Sequence, residues 1–303
     1  MASAIAASHD GDTIQVQAGT YTNDTAKITT SITLQAVGGR VLMQETAPLA
    51  NQKGILIVGT QSAAPTVSIA GFDFAGASTP FGRNGAGIRY QNGNLTLTND
   101  YFHNNQNGIL ATPWQPGTGT LLIDHSEFAH NGTGDGYTHN IYVGDIDSFT
   151  LQNSYSHDTA EGHEVKSRAE NTIITNNRIF DNDSTSSYSI DLPNGGNATI
   201  TGNLIEQGAH GHNPVMIAYG EERGPRTGTN FTVAGNTFVN DLRSVTAVWN
   251  RGIGTANLAN NQFFGVPPGK VVSGANTETG STFVNTRPVL DTATHPFSVG
   301  GSA

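Results

Sequence analysis

ITGNLI, residues 200–205, is the clearest copy of a phrase that recurs along this 303-residue chain. Each copy begins with an aliphatic residue, usually carries Asn or Gly two positions later, and, except in LQNSYS with its Ser156, places a large apolar residue at the fifth step. The copies are IAGFDF (69–74), LTNDYF (97–102), IDHSEF (123–128), LQNSYS (151–156), ITNNRI (174–179), ITGNLI (200–205), VAGNTF (233–238) and LANNQF (258–263). They begin 23 to 33 residues apart, a spacing typical of solenoid folds.

The segments between these copies contain short extended bursts separated by Gly and Asn, which indicates coils of parallel strands stacked on one another. A leucine-rich repeat has a similar period, but its LxxLxL phrases and helical segments are missing from the sequence. An Asn recurs at the same turn of successive repeats, at Asn177, Asn203, Asn236 and Asn261. We expect these four residues to form a turn ladder, in which Asn adopts the left-handed conformation and bonds its neighbours along the stack.

The first coil adds a second signature. GDTIQVQAGTY, residues 11–21, alternates Ile14 and Val16 on one face and follows the short apolar stretch ASAIAAS. With the repeats, this opening resembles the right-handed parallel β-helix proteins over roughly residues 8–265. The resemblance implies an all-β fold, and that fold carries pectate and alginate lyases, mannuronan epimerases, polygalacturonase-like hydrolases and non-catalytic adhesins alike. We predict a single domain of about nine coils, with an N-terminal cap (1–10), coils (11–265) and a C-terminal tail (266–303) that packs on the solenoid.

The amino-acid composition limits the classes of ligand and partner that the protein can bind. The formal net charge of −10 disfavours nucleic acid, and the absence of Cys excludes disulfides and thiolate metal sites. No apolar run is long enough to span a bilayer, and the N-terminus lacks the basic and apolar regions of a signal peptide. We expect a secreted or periplasmic monomer whose signal peptide is absent from this sequence.

A second phrase precedes each ladder phrase by about ten residues and predicts which side chains point outward. Taking Ile88, Ile109, Ile141, Val165, Ile190 and Val248 as inward residues places the following residue of each coil on the outer face. That outward column consists of Arg89, Leu110, Tyr142, Lys166, Asp191 and Trp249. The intervening coil, PVMIAYG (214–220), has no assignable register because several apolar residues compete for the inward position.

The column predicts a cluster of titratable groups on three adjacent coils. Tyr142, Lys166 and Asp191 become neighbours about 4.8 Å apart across the coils. Extending the same parity backward turns Asn140 and Glu164 outward beside them, with His139, His163 and Tyr188 near the corner. An ion-pair ladder on a solvated face is the simpler alternative interpretation.

Three long turns favour a binding groove over that simpler interpretation. TPWQPGTGT (112–120), NGTGDGYT (131–138) and EERGPRTGT (221–229) lengthen turns of the solenoid, and such loops commonly wall a cleft. Trp114 and Trp249 offer flat faces for sugar rings, and Arg223 and Arg226 offer charge for an anionic ligand. Arg89 is a further candidate substrate-binding residue in the outward column.

The favoured chemistry is β-elimination on a uronate-containing polysaccharide. The proton next to a uronate carboxylate is weakly acidic until that carboxylate is neutralised, a role for Lys166 or Arg168 with Asn140. His139 or Tyr142 is the candidate base, and His163 or Tyr142 returns a proton. The resemblance agrees, since lyases and epimerases of this fold place Lys, Arg, His and Tyr on one sheet. HNIYVGD (139–145) is no clear substitute for the DPHD or DPHE phrase of mannuronan epimerases, so an epimerase ranks second.

Two other functions remain open from sequence. Glu164 and Asp191, about 8 Å apart in this arrangement, suit an inverting glycoside hydrolase. A non-catalytic glycan-binding β-helix fits if the column is only an ion-pair ladder. We expect no required cofactor; Ca²⁺ assistance would draw on Glu164, Asp191 and Asp145.

Overall fold

The computed structural model describes residues 1–222, 224 and 226–293, which form a solenoid of parallel strands. The first strands are β1 (Thr13–Thr22), β2 (Ala26–Ile28), β3 (Thr33–Gln44), β4 (Gly54–Val58), β5 (Thr66–Ala70), β6 (Phe72–Ala75), β7 (Ala86–Tyr90), β8 (Asn94–Thr98), β9 (Tyr101–His103) and β10 (Asn107–Ala111). The middle strands are β11 (Thr120–Asp124), β12 (Glu127–Ala129), β13 (Ile141–Val143), β14 (Ser148–Gln152), β15 (Tyr155–His157), β16 (Val165–Ser167), β17 (Asn171–Thr175), β18 (Arg178–Phe180), β19 (Ile190–Leu192) and β20 (Asn197–Thr201). The last strands are β21 (Leu204–Gln207), β22 (Val215–Tyr219), β23 (Phe231–Ala234), β24 (Thr237–Asn240), β25 (Thr246–Asn250), β26 (Ala256–Ala259), β27 (Gln262–Phe264), β28 (Val272–Ser273), β29 (Asn276–Thr279) and β30 (Thr282–Val284).

Each coil contributes strands to three faces. One face is a ten-stranded sheet in the order β2-β4-β7-β10-β13-β16-β19-β22-β25-β28, which we call the site sheet. The other two faces belong to one twenty-stranded sheet, because the long strands β1 and β3 run through both of them. All pairings in both sheets are parallel, as the repeat predicts.

The predicted inward column of the site sheet is observed. Ile88, Ile109, Ile141, Val165, Ile190 and Val248 are all fully buried. The coil that sequence left open is also fixed, because Ile217 pairs with Ile190 on one side and with Val248 on the other. Ala218 therefore takes the outward position between Asp191 and Trp249.

The predicted Asn ladder is present, with one correction. The Nδ2 of Asn177 donates to the Oδ1 of Asn203 at 3.0 Å, and the same bond joins Asn203 to Asn236 and Asn236 to Asn261. These four side chains are buried, and the left-handed conformation belongs to the residue before each of them. Those preceding residues are Asn176, Gly202, Gly235 and Asn260, with φ between 54° and 68°.

Replacing Asn203 with Ala is expected to lower the free energy of unfolding by about 2–3 kcal/mol, since buried partners lose their bonds. Asn203 Oδ1 accepts from both the backbone N–H and the side chain of Asn177, and its Nδ2 donates to Ile174 O. Denaturant unfolding would measure the change. Asn257→Ala, at an exposed position of the next repeat but one, is the matched control and should stay within about 0.5 kcal/mol of wild type. Equal losses in both variants would contradict a ladder that stabilises the coils.

The two ends of the solenoid differ from each other. A short helix, α1 (Ala2–Ala6), buries Ile5 against the first coil, in the region predicted as a cap. At the other end, β28, β29 and β30 pair with β25, β26 and β27, so a further coil occupies much of the segment predicted as a tail. The repeat was unreadable there because Glu278 stands where the preceding coil has Leu258, and β29 is exposed throughout.

The chain beyond this last coil folds back along the solenoid. Arg287 pairs with Asp241 at 2.5 Å, and Arg178 Nη1 donates to the carbonyl of Asp291 at 2.6 Å. Among the described residues, no helix is long and apolar enough to cross a membrane.

Candidate active site

The outer face of the site sheet carries one continuous column of side chains. In coil order it consists of Lys27, Ile57, Arg89, Leu110, Tyr142, Lys166, Asp191, Ala218, Trp249 and Ser273. Tyr142, Lys166 and Asp191 are therefore direct neighbours on three successive strands, as the alternation predicted. We call these three residues the central column.

Lys166 and Asp191 form an ion pair that is largely withdrawn from solvent. Lys166 Nζ lies 2.6 Å from Asp191 Oδ2, and the two side chains are 10% and 1% exposed. His163 Nε2 approaches the same oxygen at 3.1 Å. Burial alone would raise the pKa of Asp191, but the bond and charge of His163, a bond from Glu221 and the charge of Lys166 together hold it below its usual value. Asp191 is thus an ionised anchor for the cation beside it.

Glu221, which no sequence pattern indicated, is a further hydrogen-bond partner of Asp191. Burial, followed by its hydrogen bond to Asp191 and the charge of that carboxylate, raises the pKa of Glu221 to about 9. At neutral pH Glu221 is consequently protonated and donates to the ionised Asp191. Two carboxyl groups in contact share one proton because both cannot ionise at low cost.

This shared proton predicts a specific dependence of stability on pH. The folded pKa of Glu221 lies above its unfolded value, so between the two values the folded state holds a proton that the unfolded state has lost. Stability therefore falls as pH rises toward about 9. In Glu221→Gln, whose amide still donates to Asp191, this fall should be smaller. Thermal melts of both proteins from pH 6 to 10 test it, and parallel curves would refute the shared proton.

Two histidines form a stacked spine at the corner before these strands. The rings of His139 and His163 stack at 4.9 Å, and His163 stacks on Tyr188 at 5.1 Å. The Nδ1 atom of His139 accepts the backbone N–H of His163, and the Nδ1 atom of His163 accepts that of Tyr188. When neutral, each ring therefore carries its proton on Nε2. Burial, with the charges of His163 and Lys166, also holds the pKa of His139 well below its usual value.

The spine changes the predicted roles of its members. His139 has no free basic nitrogen, since one ring nitrogen accepts a bond and the other bears the proton. His163 Nε2–H is directed at Asp191. Both rings therefore pack against the central column, His139 on the ring of Tyr142 and His163 against Asp191.

Arg168 links Tyr142 to the loop above the sheet. Its Nε donates to Tyr142 Oη at 3.0 Å, and its Nη1 donates to Asn194 Oδ1 at 2.6 Å. Its Nη2 pairs with Glu222 at 2.7 Å. Desolvation would lower the pKa of Arg168, but Tyr142 and Glu222 outweigh it and raise that pKa. Arg168 therefore holds Tyr142 Oη in place with a charged donor.

Glu222 places a carboxylate between the two cations of the site. Besides its bond to Arg168, its Oε1 lies 3.5 Å from Lys166 Nζ, and the side chain is 47% exposed. Glu222 is the exposed member of these pairs, so a carboxylate arriving from solvent can compete with it for the two cations. We call the place of this carboxylate between Lys166 and Arg168 the carboxylate-binding position.

Comparison with known proteins identifies the family. The model of the right handed beta helix region matches residues 114–287, more than half of the chain. The chain belongs to this family. The prediction of a right-handed parallel β-helix is thereby confirmed.

Solved structures of low sequence identity share the same β-helix. An alginate lyase from Paenibacillus sp. str. FPU-7 matches with a TM-score of 0.63 and 17% identity, covering 93% of this chain and 95% of the lyase. Pectate lyase Pel9A matches with a TM-score of 0.53 and 15% identity, covering 92% of this chain and 72% of that one. At these identities the likeness establishes the fold alone. The curated protein sequences contain no match.

Two predicted substrate-binding residues lie inside the β-helix, which corrects the sequence interpretation. Asn140 and Glu164 are fully buried, and Asn140 Nδ2 donates to Glu164 Oε2 at 2.6 Å. They precede β13 and β16, where the chain still turns the corner, so strand parity does not apply to them. Glu164 cannot act on a glycan, which overturns the predicted hydrolase pair of Glu164 and Asp191.

The three candidate Ca²⁺ ligands are each engaged by other groups of the protein. Asp145 pairs with Arg226, Glu164 is internal, and Asp191 is engaged by Lys166 and His163. Among the residues that the structure describes, no group of three or more His, Asp or Glu side chains is arranged for a metal ion. The prediction that no cofactor is required stays a prediction.

The remaining candidates lie on or beside the site sheet. Arg226 fastens the loop, since its Nη2 donates to the carbonyl of Arg168 at 2.6 Å and pairs with Asp145. Arg223 lies outside the described residues. Trp249 stands two coils from Asp191 with the guanidinium of Arg251 5.4 Å from its ring, and Trp114 is 51% exposed near the start of the column.

Proposed function

We propose that this β-helix protein is a polysaccharide lyase that cleaves a uronate-containing glycan by β-elimination. The observation that carries the proposal is the carboxylate-binding position between Lys166 and Arg168, next to Tyr142 Oη. A uronate carboxylate bound there would displace Glu222 and lie against two cations. Neutralisation of that carboxylate acidifies the neighbouring ring proton, which is the difficult step of the reaction.

Tyr142 supplies the proton transfer in this scheme. In this scheme Tyr142 acts as a phenolate, and its Oη, held by Arg168 Nε, takes the proton from the carbon next to the carboxylate. The electrons of that C–H bond form the ring double bond while the glycosidic C–O bond breaks. The proton on Oη then passes to the leaving oxygen. One unsaturated uronate end and one ordinary sugar end result, with no added water, and Tyr142 returns to its starting state.

The rest of the site keeps the cation in place. Asp191 holds Lys166, His163 holds Asp191, and the proton on Glu221 limits the negative charge beside them. An alginate lyase and a pectate lyase share this fold, so the fold is compatible with the proposed reaction. The same proton removal, followed by return to the opposite ring face, would make the protein a C5-epimerase-like relative. An acidic polysaccharide is met outside the cytoplasm, so we place the protein there, as a secreted or periplasmic monomer.

Incubation with alginate, pectate and glucuronan tests the proposal. Elimination produces ultraviolet absorbance from the unsaturated uronate, together with one new reducing end for each bond broken. New reducing ends without ultraviolet absorbance would show that the protein is a hydrolase and not a lyase. Altered uronate stereochemistry without cleavage would indicate the epimerase. Tight binding with neither product would make the protein a glycan-binding β-helix.

A further inference from the structure

A second cluster of positive charge lies on the first coils of the site sheet. The sequence contains only four Lys, and three of them (Lys27, Lys53 and Lys166) lie on or at the edge of this sheet. Lys27 and Arg89 occupy the outward column, and Lys53 immediately precedes β4 between them. We call Lys27, Lys53 and Arg89 the distal basic cluster. By coil spacing, Arg89 lies about 14 Å from Lys166 along the solenoid.

The distal basic cluster lacks compensating charge. No carboxylate of the described chain forms an ion pair with any of its three members, although the protein as a whole carries a net charge of −10. The polar contacts of Lys53 and Arg89 are with neutral amides, Gln91 Oε1 at 3.3 Å and Asn84 Oδ1 at 3.4 Å. The Nε of Arg89 is buried without an acceptor among the described residues.

The charges of Arg89 and Lys27 act on Lys53. Burial, followed by the charges of Arg89 and Lys27, lowers the pKa of Lys53, and burial lowers the pKa of Arg89. Like charges held together without counter-ions destabilise a fold, and a bound anion relieves the repulsion. The central column differs in this respect, because Asp191 already compensates Lys166 there.

A cavity of about 320 Å³ opens at Lys27 and Lys53, and Arg89 is the neighbour of Ile57, which lines it, in the outward column. Lys27, Lys53, Gln91 and Trp114 line it, with Asn51, Thr60, Gln61 and Ser62 adding polar groups. The indole of Trp114 is half exposed, and Lys53 Nζ lies 5.7 Å from its ring centre. A flat aromatic face beside amides, hydroxyls and cations matches a sugar ring that carries a negative charge.

We propose that the distal basic cluster and Trp114 bind a carboxylate-bearing sugar of the same glycan chain whose cleavage is proposed at Lys166. This inference rests on the proposed function for the identity of the ligand. Leu110 is the outward residue between Arg89 and Tyr142, so no carboxylate of the column interrupts the path between the two sites. A chain lying along the column reaches both sites a few sugar rings apart, and a shorter fragment reaches one.

Equilibrium binding tests this distal site. Tyr142→Phe serves as the background so that turnover does not consume the ligand, and alginate, pectate and glucuronan are the probes, with dextran as an uncharged control. Adding Lys27→Gln and Lys53→Gln should weaken affinity for the bound polyuronate about tenfold and reduce its salt dependence. Adding Lys270→Gln instead, at the fourth Lys of the chain, should leave the affinity unchanged. Thermal melts should show no loss of stability in the double Gln variant, since repulsion is removed.

The outcomes separate this inference from the proposed function. Equal affinities for the background and the double Gln variant would overturn the distal site, even if the unmodified protein forms unsaturated product. Weakened binding together with no unsaturated product would overturn the lyase and leave the distal site standing. A protein that binds none of the polyuronates would overturn both. An equal loss with Lys270→Gln would reduce the effect to net charge and also overturn the distal site.

Discussion

Replacing Lys166 with Ala should lower kcat/KM for elimination by roughly 10²- to 10³-fold, the usual cost of removing one preorganised group that stabilises developing charge. Lys166 is the cation that Asp191 fixes beside the carboxylate-binding position. Arg168 alone would then have to neutralise the uronate. Initial rates of ultraviolet absorbance on the glycan that the unmodified protein cleaves measure the effect. A variant that retains full activity would remove Lys166 from the reaction.

Stability needs a separate control, because Lys166 is not a freely exposed residue. Its removal leaves Asp191, 1% exposed, with the contacts of His163 and Glu221 only, and should cost about 2 kcal/mol. The double variant Lys166→Ala, Asp191→Ala removes both charges and should recover part of that stability. It should not recover elimination. Recovery of both together would show that Lys166 acts only through the fold.

The scaffold and the central column were predictable because both follow from a strict alternation. One apolar residue per coil points inward, so the next residue points outward, and Tyr142, Lys166 and Asp191 fall into line. Within a strand, the alternation does not determine which residue points inward where neighbouring residues are equally apolar, as in PVMIAYG. There the pairing of Ile217 with Ile190 decides the register.

Strand parity predicts the wrong orientation for residues that precede the start of a strand. Asn140 and Glu164 stand just before β13 and β16, at a corner whose side chains turn into the solenoid. One signal for this was available in the sequence. Ser156 replaces the apolar residue expected at the end of its repeat, and its Oγ donates to Glu164 Oε2 at 2.9 Å. A polar residue in an apolar column indicates a buried polar partner on a neighbouring segment.

The loop residues could not be placed from sequence in the same way. Glu221 and Glu222 lie in the long turn EERGPRTGT, where no periodicity fixes which side chain faces the sheet. Their position depends on tertiary contacts such as those of Arg226 with Asp145 and with the carbonyl of Arg168. The carboxylate-binding position therefore could not be predicted from the sequence and is seen only in the three-dimensional structure.

Replacing Glu164 with Ala should destabilise the β-helix by about 3 kcal/mol or more, the largest effect on stability that we expect. Its two carboxyl oxygens accept four hydrogen bonds inside the corner, from Asn140, Ser156, the Thr159 backbone and Ser186. Without them, the Thr159 backbone N–H loses its acceptor, and the other three buried donors keep backbone carbonyls as acceptors, those of His157, Glu164 and Thr159. Denaturant unfolding measures the loss, and hydrogen exchange should report it first in the coils around β16.

Glu164→Gln is the matched control for the same position, and it separates a structural role from a role in binding glycan. The amide oxygen of Gln can accept two of the four hydrogen bonds. Its NH₂ group then faces the other two donors, either Asn140 and Ser156 or Thr159 and Ser186. The loss of stability should therefore be smaller than in Glu164→Ala but still clear. Both hydroxyls can rotate to accept, whereas the backbone N–H of Thr159 cannot, which favours the orientation that keeps the oxygen on Thr159. Residual folded protein of either variant should bind and cleave glycan at near the unmodified rate, because Glu164 does not reach the outer face. A variant that melts normally and yet has lost activity would return Glu164 to the substrate and place the corner differently from the arrangement described.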